Sequence, residues 1–306
     1  MNSGNPVSGR ARGKPVPNAV PANTAVGDAL KCANKRVAPI DARLLMQRVL
    51  RRSHAQLIAH PEYLLTVTEL AGFELLLRRR EAGEPVAYLI GEREFFGLSF
   101  TVTPDVLIPR PETELLVELA LLHLPEDALR SVLDLGTGSG AIAITLAARR
   151  PLLDLVATDE SADALRVAAS NARRLLPSTP TLALPRRGQI RFLESEWFSE
   201  LGSLRFDLIV ANPPYVAAND PHLEQGDVRF EPRSALIGGG DGLRCIRHIV
   251  AHAREYLKPG GWLLFEHGYD QADACCALLQ AAAYVDILSR RDLAGIPRLA
   301  GGRSWT

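Results

Sequence analysis

The residues best suited to chemistry in this chain are four in a row, Asn212-Pro213-Pro214-Tyr215. They follow Phe206-Asp207-Leu208-Ile209-Val210-Ala211, a run that is apolar apart from one acid. Such a run predicts a strand buried on both faces of a parallel sheet, and open α/β sheets bind ligands at the carboxyl ends of their strands. Asn212 brings a side-chain carbonyl and an NH2 to that point. Pro213 and Pro214 lock φ and donate no N–H, so their carbonyls stand on a stiff backbone, and Pro213 keeps Asn212 out of the α region. Tyr215 adds an aromatic face beside those acceptors. Together they form a rigid cradle for a flat, NH2-bearing group. The plain alternative is a Pro-rich loop leaving a strand.

A second constellation lies upstream. Asp134-Leu135-Gly136-Thr137-Gly138-Ser139-Gly140 sits between a predicted strand, Val132 to Leu135, and a predicted helix, Ala141 to Arg149. Gly136-x-Gly138-x-x-Ala141 matches the dinucleotide fingerprint, and Asp159 stands about twenty residues on, where a ribose-binding acid belongs. Glycine lets backbone approach a ligand closely, and a carboxylate accepts from two ribose hydroxyls. The loop therefore points to a nucleoside cofactor. Taken alone it leaves open a nicotinamide cofactor, S-adenosylmethionine, or a structural turn without a ligand.

The fourth strand separates these. Hydride transfer has no need of Asn-Pro-Pro-Tyr, whereas methyl transfer to a planar amide or amino nitrogen does. The lone pair of such a nitrogen is delocalised, so it is a poor nucleophile. Two acceptors, the Asn212 side-chain carbonyl and the Pro213 backbone carbonyl, can bind both amide hydrogens, orient the nitrogen and stabilise the charge developing on it. Tyr215 can stack on the amide plane. No metal is required.

The elements that must position these residues follow from periodicity. Residues 1 to 25 mix Gly, Pro, Asn and Ser without period and predict a disordered tail. Helical spacing runs from there to Ala82, with Ser53 as a cap and Gly83 and Pro85 as the stop. Residues 26–85 are thus expected to be a small helical domain that docks a partner, and Arg78-Arg79-Arg80 a solvated helix end. Residues 86–108 predict a β-hairpin connector around Gly97. Pro111, Glu112 and Glu114 suit the start of a helix, although Arg110 and Glu112 could equally stand over a ligand pocket. From Ser131 strands and helices alternate, interrupted by a loop insertion at 177–189. Seven such strands predict an α/β, doubly wound, mainly parallel sheet over 109–306.

Composition bounds the partners. Among 306 residues, 35 Lys and Arg balance 35 Asp and Glu, so the chain lacks the basic excess of a nucleic-acid binder. Direct nucleic-acid contact is not expected. The four cysteines show no paired spacing and predict reduced thiols in a cytoplasmic protein. No apolar stretch approaches the roughly 18 residues of a membrane span.

With these motifs in view, the chain resembles the release-factor glutamine methyltransferase family. Those enzymes use S-adenosylmethionine to methylate N5 of the glutamine in the Gly-Gly-Gln motif of bacterial peptide chain release factors. The resemblance runs from about Ile40 to the C-terminus. It rests on Glu84-Pro-Val-Ala-Tyr-Leu-Ile-Gly91, Glu94-Phe95, Ile108-Pro-Arg-Pro-Glu-Thr113, Asp134 to Gly140, Asn212 to Tyr215 and Phe230-Glu-Pro232. The glycine loop and Asn-Pro-Pro-Tyr also occur in nucleic-acid amino methyltransferases. Ile108 to Thr113, with a helical N-terminal domain, favours the release-factor branch over ribosomal-protein glutamine methyltransferases. The resemblance implies a Rossmann-like class I methyltransferase domain acting as a monomer. By it, Gly136, Thr137, Gly138, Ser139 and Gly140 hold the methionine part of the cofactor. Asp159 holds the ribose, Trp197 flanks the adenine, and Asp134 meets the cofactor ammonium directly or through water. Asn212, Pro213, Pro214 and Tyr215 hold the glutamine. Two features depart from the family: Glu196 stands where Asp is commoner, and the 177–189 loop is long.

Overall fold

Apolar residues at helical spacing build the first part of the chain and buried runs build the second. The computed structural model describes residues 23–176 and 189–305. Nearly all of the expected disordered tail and of the 177–189 insertion lies outside the described residues. The chain divides into two units, Met1–Ile90 and Gly91–Thr306.

The first unit holds α1 (Val26–Ala33), α2 (Pro39–Leu50), α3 (His54–Ala59), α4 (Val67–Glu81) and α5 (Val86–Ile90). Ser53 and Thr66 start α3 and α4 with reciprocal capping boxes to Gln56 and Glu69. Leu45, Met46, Phe73 and Leu77 are fully buried between α2 and α4. The basic run that ends α4 is less free than its sequence implies: Arg79 pairs with Glu84, and Arg80 reaches Asp41 at 2.7 Å. Residues Val86–Ile90, expected to begin the connector, instead close this unit as a helix. The Pro85 carbonyl accepts from the N–H groups of Tyr88 and Leu89, and both of those side chains are buried.

The second unit begins with the hairpin of β1 (Glu92–Phe95) and β2 (Leu98–Thr101). A 3-10 turn, Pro111–Thr113, leads into α6 (Glu114–His123). Then follow β3 (Arg130–Leu135), α7 (Ala141–Arg149), β4 (Leu153–Asp159), α8 (Ala162–Leu175), β5 (Ile190–Glu194) and β6 (Phe206–Ala211). The chain continues through α9 (Arg244–Tyr256), β7 (Leu257–Glu266), α10 (Ala272–Ala281), β8 (Val285–Arg291) and β9 (Pro297–Arg303). The sheet order is β5-β4-β3-β6-β7-β9-β8. Every pairing from β5 to β7 is parallel, and β9 runs against both its neighbours. This is the seven-stranded, mainly parallel, doubly wound sheet that the sequence predicts. Alternate residues of β6 serve two cores, as a strand period of two requires. Leu208 and Val210 pack with α6 and α7, while Ile209 and Ala211 pack with α9 and α10.

Register levels the strand ends. Thr158 of β4 pairs with Leu135 of β3, Leu135 with Ala211 of β6, and Ala211 with Phe265 of β7. The next residues along these strands are Asp159, Gly136, Asn212 and Glu266, so two carboxyl groups, a glycine turn and a side-chain amide stand side by side at one edge.

One side chain ties the hairpin to that edge. Asn171 of α8 is fully buried. Its Nδ2 donates to the carbonyls of Thr101 and Ser139, each at 2.9 Å, and its Oδ1 accepts from the Thr101 N–H at 2.8 Å. Replacing it strands buried backbone groups of β2 and of the glycine loop. Asn171→Leu is expected to cost roughly 2–4 kcal/mol. The measurement is the denaturant midpoint at constant slope. A midpoint equal to that of the parent protein would show that the clasp does not stabilise the unit.

Candidate functional site

A cavity of about 550 Å³ opens above the levelled strand ends, entirely within the second unit. Gly136, Thr137, Gly138 and Ser139 form its floor, and Asp159 stands beside them. The loop adopts its shape because Gly136 and Gly138 take φ of +70° and +54°, a region that suits glycine. A Cβ on either would meet nothing within 4 Å, so the space in front of both is open. Gly140 differs. It does not line the cavity, and a Cβ there would come within 2.6 Å of Ile144 Cδ1, so this glycine lets α7 pack closely.

Two carboxylates flank the loop and are held differently. Asp159 Oδ2 accepts from the Gly138 N–H at 2.9 Å and Oδ1 from the Ser161 N–H at 3.0 Å. Burial outweighs those bonds and raises its pKa above the ordinary carboxylate value. Asp134 is fully buried beneath the loop. Its Oδ2 accepts from Thr137 Oγ1 at 2.7 Å and from the Ala143 N–H at 3.2 Å, while Oδ1 has no partner. Burial, opposed by those two bonds, pushes its pKa up from 3.8 to about 7. A buried carboxylate oxygen without a partner is an open position for a cation or a hydrogen-bond donor.

Trp197 and Glu196 line the same cavity. Trp197 holds φ of +52°, uncommon for a bulky residue and typical of constrained sites. The buried Ser195 stabilises it: its hydroxyl donates to the Trp197 carbonyl at 3.1 Å and accepts from the Glu200 N–H at 3.2 Å. His248 of α9 lies near Trp197, ring centroids 6.1 Å apart, and burial lowers its pKa.

Of the expected cradle, Asn212 and Pro214 reach the cavity wall, and Pro213 and Tyr215 stand behind it. Asn212 Nδ2 donates to Thr113 Oγ1 at 3.1 Å, and no described residue donates to Asn212 Oδ1 or to the Pro213 carbonyl. The Tyr215 hydroxyl donates to Glu266 Oε1 at 3.0 Å, so the polar tip of this ring is anchored in protein. The backbone of the segment is clamped as well. Gln271 Nε2 donates to the Tyr215 carbonyl at 3.0 Å, and Val216 exchanges backbone bonds with Leu236 and Gly238. A Cβ at Gly238 would come within 2.5 Å of the Pro214 carbonyl oxygen, and one at Gly242 within 2.3 Å of that of Tyr215. The glycines read from sequence only as loop are therefore the surface against which Pro214 and Tyr215 rest.

The facing wall comes from Pro109, Arg110 and Thr113, with Pro232 and Ser234. Arg110 reaches the cavity, as one of the two sequence readings allows, and Glu112 does not. Glu231, 4% exposed, binds these segments together: it accepts from the Ile108 N–H at 3.1 Å and pairs with Arg110. Thr113, Glu231 and Glu266 are hydrogen-bonding partners at the site that the sequence reading did not assign, and only Glu266, at the end of the apolar run Trp262-Leu-Leu-Phe265, carries a visible signal. Among the described residues no group of three or more His, Cys, Asp or Glu could hold a metal ion, and no helix is long and apolar enough to cross a membrane.

Comparison with known proteins places this architecture. Residues 24–91 match the PrmC N-terminal domain and residues 112–228 the methyltransferase small domain. A solved methyltransferase from Pyrococcus furiosus shares the fold at a TM-score of 0.50 and 16% identity, over 74% of this chain and 96% of its own. The release factor glutamine methyltransferase of Burkholderia pseudomallei is 53% identical over 86% of this chain and 91% of its own. That of Bordetella pertussis is 50% identical over 86% and 94%. At such identity and coverage, this chain belongs to the release factor glutamine methyltransferase family.

Proposed function

We propose that this chain transfers a methyl group from S-adenosylmethionine to the side-chain amide nitrogen, N5, of the glutamine in the Gly-Gly-Gln motif of peptide chain release factors. One observation carries the reading: a single cavity joins the glycine loop, Asp159 and Trp197 to Asn212 and Pro214. Family membership supports the choice of substrate. The residues present fit the cofactor. Asp134, fully buried just behind the cavity wall, keeps an oxygen without a partner, suited to an ammonium reached through water, and Gly136 and Gly138 leave open space in front of the loop. When bound, S-adenosylmethionine supplies an electrophilic methyl carbon on a sulfonium and departs as a neutral thioether.

In this reading Gly136 to Ser139 cradle the methionine part, with Gly140 shaping the turn behind them, Asp159 accepts from the ribose hydroxyls, and Trp197 flanks the adenine. Asn212 lines the cavity beside the glycine loop and would serve both the cofactor and the target amide. Its Oδ1 accepts one N–H group of the target amide, and the Pro213 carbonyl, on the buried residue just behind the wall, is the acceptor proposed for the other. That holds the nitrogen in line with the methyl and stabilises the positive charge that grows as its lone pair forms the new bond. The proton then shed by nitrogen passes to water. Pro214 stiffens the segment. Tyr215, anchored through its hydroxyl behind the wall, backs the cradle with its ring. Residues 26–85 dock the release factor, and the enzyme works as a cytoplasmic monomer without direct nucleic-acid contact.

The test is radiolabelled methyl transfer to release factor, beside total ribosomal protein and DNA. Label on release factor glutamine is expected; label only on ribosomal protein or DNA would reject the substrate. Asn212→Ala should slow the single-turnover step by about 10²–10³ while cofactor affinity changes less. Transfer at the parent rate by a folded variant would reject the cradle. Removing residues 26–82 should preserve cofactor binding by calorimetry and strongly impair methylation of whole release factor. Undiminished methylation would remove the docking role.

Asp134 gives a pH dependence. Its pKa in the folded protein, about 7, lies above the ordinary 3.8, so between those values the folded state holds a proton that the unfolded chain has lost. This group's contribution to stability therefore falls as pH rises through that window. Binding an ammonium requires the carboxylate, so cofactor binding must expel the proton below about pH 7. Affinity should rise with pH up to that point, and Asp134→Asn should be weaker and flat. An unchanged slope in a folded Asp134→Asn protein would show that another group titrates.

A further inference from the structure

Glu266 ends β7 beside Asn212 but does not line the cavity, and it is 1% exposed. Both of its oxygens accept from neutral hydroxyls: Oε2 from Thr113 Oγ1 at 2.7 Å, and Oε1 from the Tyr215 hydroxyl at 3.0 Å. A hydroxyl has one proton to donate. Thr113 directs its proton to Glu266, so toward Asn212 it can only accept. The group facing it there, at 3.1 Å, is the Asn212 NH2. The bonds thus run one way, from Asn212 through Thr113 to a buried carboxyl group, and they leave Asn212 Oδ1 without a donor among the described residues.

We propose that Glu266 is a positioning residue for methyl transfer: through Thr113 it fixes the Asn212 amide with its oxygen toward the substrate nitrogen, and through Tyr215 it pins the other end of the same segment. The proposal rests on the reading that Asn212 accepts from the target amide. A side-chain amide has two orientations of similar shape and opposite polarity. Turned over, Asn212 would set N–H donors against a substrate NH2 that itself only donates, and the contact would become repulsive. The sheet register brings Glu266 next to Asn212, because Ala211 and Phe265 are paired, and Thr113 enters from the start of α6 to bridge them. Both Glu266 oxygens accept, one from Thr113 and one from Tyr215, so both hydroxyls point toward the carboxyl and away from the cradle.

The experiment compares Glu266→Met, Thr113→Val and Thr113→Ser with the parent enzyme, using whole release factor and S-adenosylmethionine. Glu266→Met keeps the length and removes the acceptor, and it leaves the Thr113 and Tyr215 hydroxyls without it, so folding of the variant is checked first. Expected is a fall in kcat of about 10-fold or more for Glu266→Met and for Thr113→Val, with the cofactor Kd within about threefold of the parent. Thr113→Ser restores most of the kcat that Thr113→Val loses. The double variant Glu266→Met/Thr113→Val loses far less than the product of the single losses, as two residues acting on one amide should. Parent kcat in folded Glu266→Met overturns the proposal. So does a loss matched by equal weakening of cofactor binding, which marks a general structural role. Should Glu266→Met not fold, the Thr113 pair decides: equal kcat for Thr113→Ser and Thr113→Val overturns it. A parent enzyme that transfers no methyl to release factor instead rejects the functional reading, before any variant is compared.

Discussion

The site depends on register. Parallel strands are locked level by their ladder of hydrogen bonds, and one row, Thr158–Leu135–Ala211–Phe265, crosses four of them. Whatever follows that row is brought to one edge without further design. The row also fixes sidedness. A slip of β6 by one residue would exchange Leu208 and Val210 for Ile209 and Ala211 between the two cores. The cost of mismatching two packed cores therefore holds Asn212 at its level.

Three buried or half-buried carboxylates share this edge, and their hydrogen bonding separates their roles. Glu266 is saturated by two hydroxyls that need it as much as it needs them. Asp159 is held by backbone N–H groups at the mouth of the glycine loop and remains part of the cavity wall. Asp134 alone keeps an oxygen without a partner while fully buried. Desolvation raises the pKa of all three, yet the consequences differ. A saturated anion organises its neighbours. An unsaturated one is strained when ionised; a proton relieves it, and in the proposed reading so does the cofactor ammonium.

The architecture was largely legible in the sequence, because long buried runs and the Gly and Pro stops between them are local signals. Asn212 to Tyr215 and Gly136 to Gly140 were legible for the same reason: each is a short stretch whose backbone needs special residues. What escaped was relational. Thr113 reads as part of a helix start, and only the fold shows its hydroxyl pointing at Glu266 from 153 positions away. Asn171 reads as a polar residue in an amphipathic helix, although its place on the face of Ala164 and Ala168 hints at burial. Tyr215 was read as a free aromatic face, and its hydroxyl proves to be committed to Glu266. Gly238 and Gly242 look like flexible loop, whereas they are close contacts against Pro214 and Tyr215. The Val86–Ile90 helix was missed because its β-prone residues are overridden by burial in the first unit.

The polarity of the cradle bears on which nitrogen can react. At the position proposed for the target, the free groups of Asn212 and Pro213 are acceptors. A lysine ammonium would satisfy them, but it has no lone pair to offer until it loses a proton, and two neutral carbonyls give it little reason to do so. A glutamate side chain offers neither hydrogens nor nitrogen. A primary amide supplies two hydrogens in the plane of its heavy atoms, and two acceptors held on stiff backbone can take both. Binding those hydrogens pushes electron density toward nitrogen, where the amide resonance had withdrawn it, and lowers the energy of the cationic product that forms first. In the proposed reading the same two contacts select the substrate and promote its reaction. That coupling works only while the Asn212 oxygen faces outward, which makes the orientation of one side-chain amide the property the surrounding hydrogen bonds must protect.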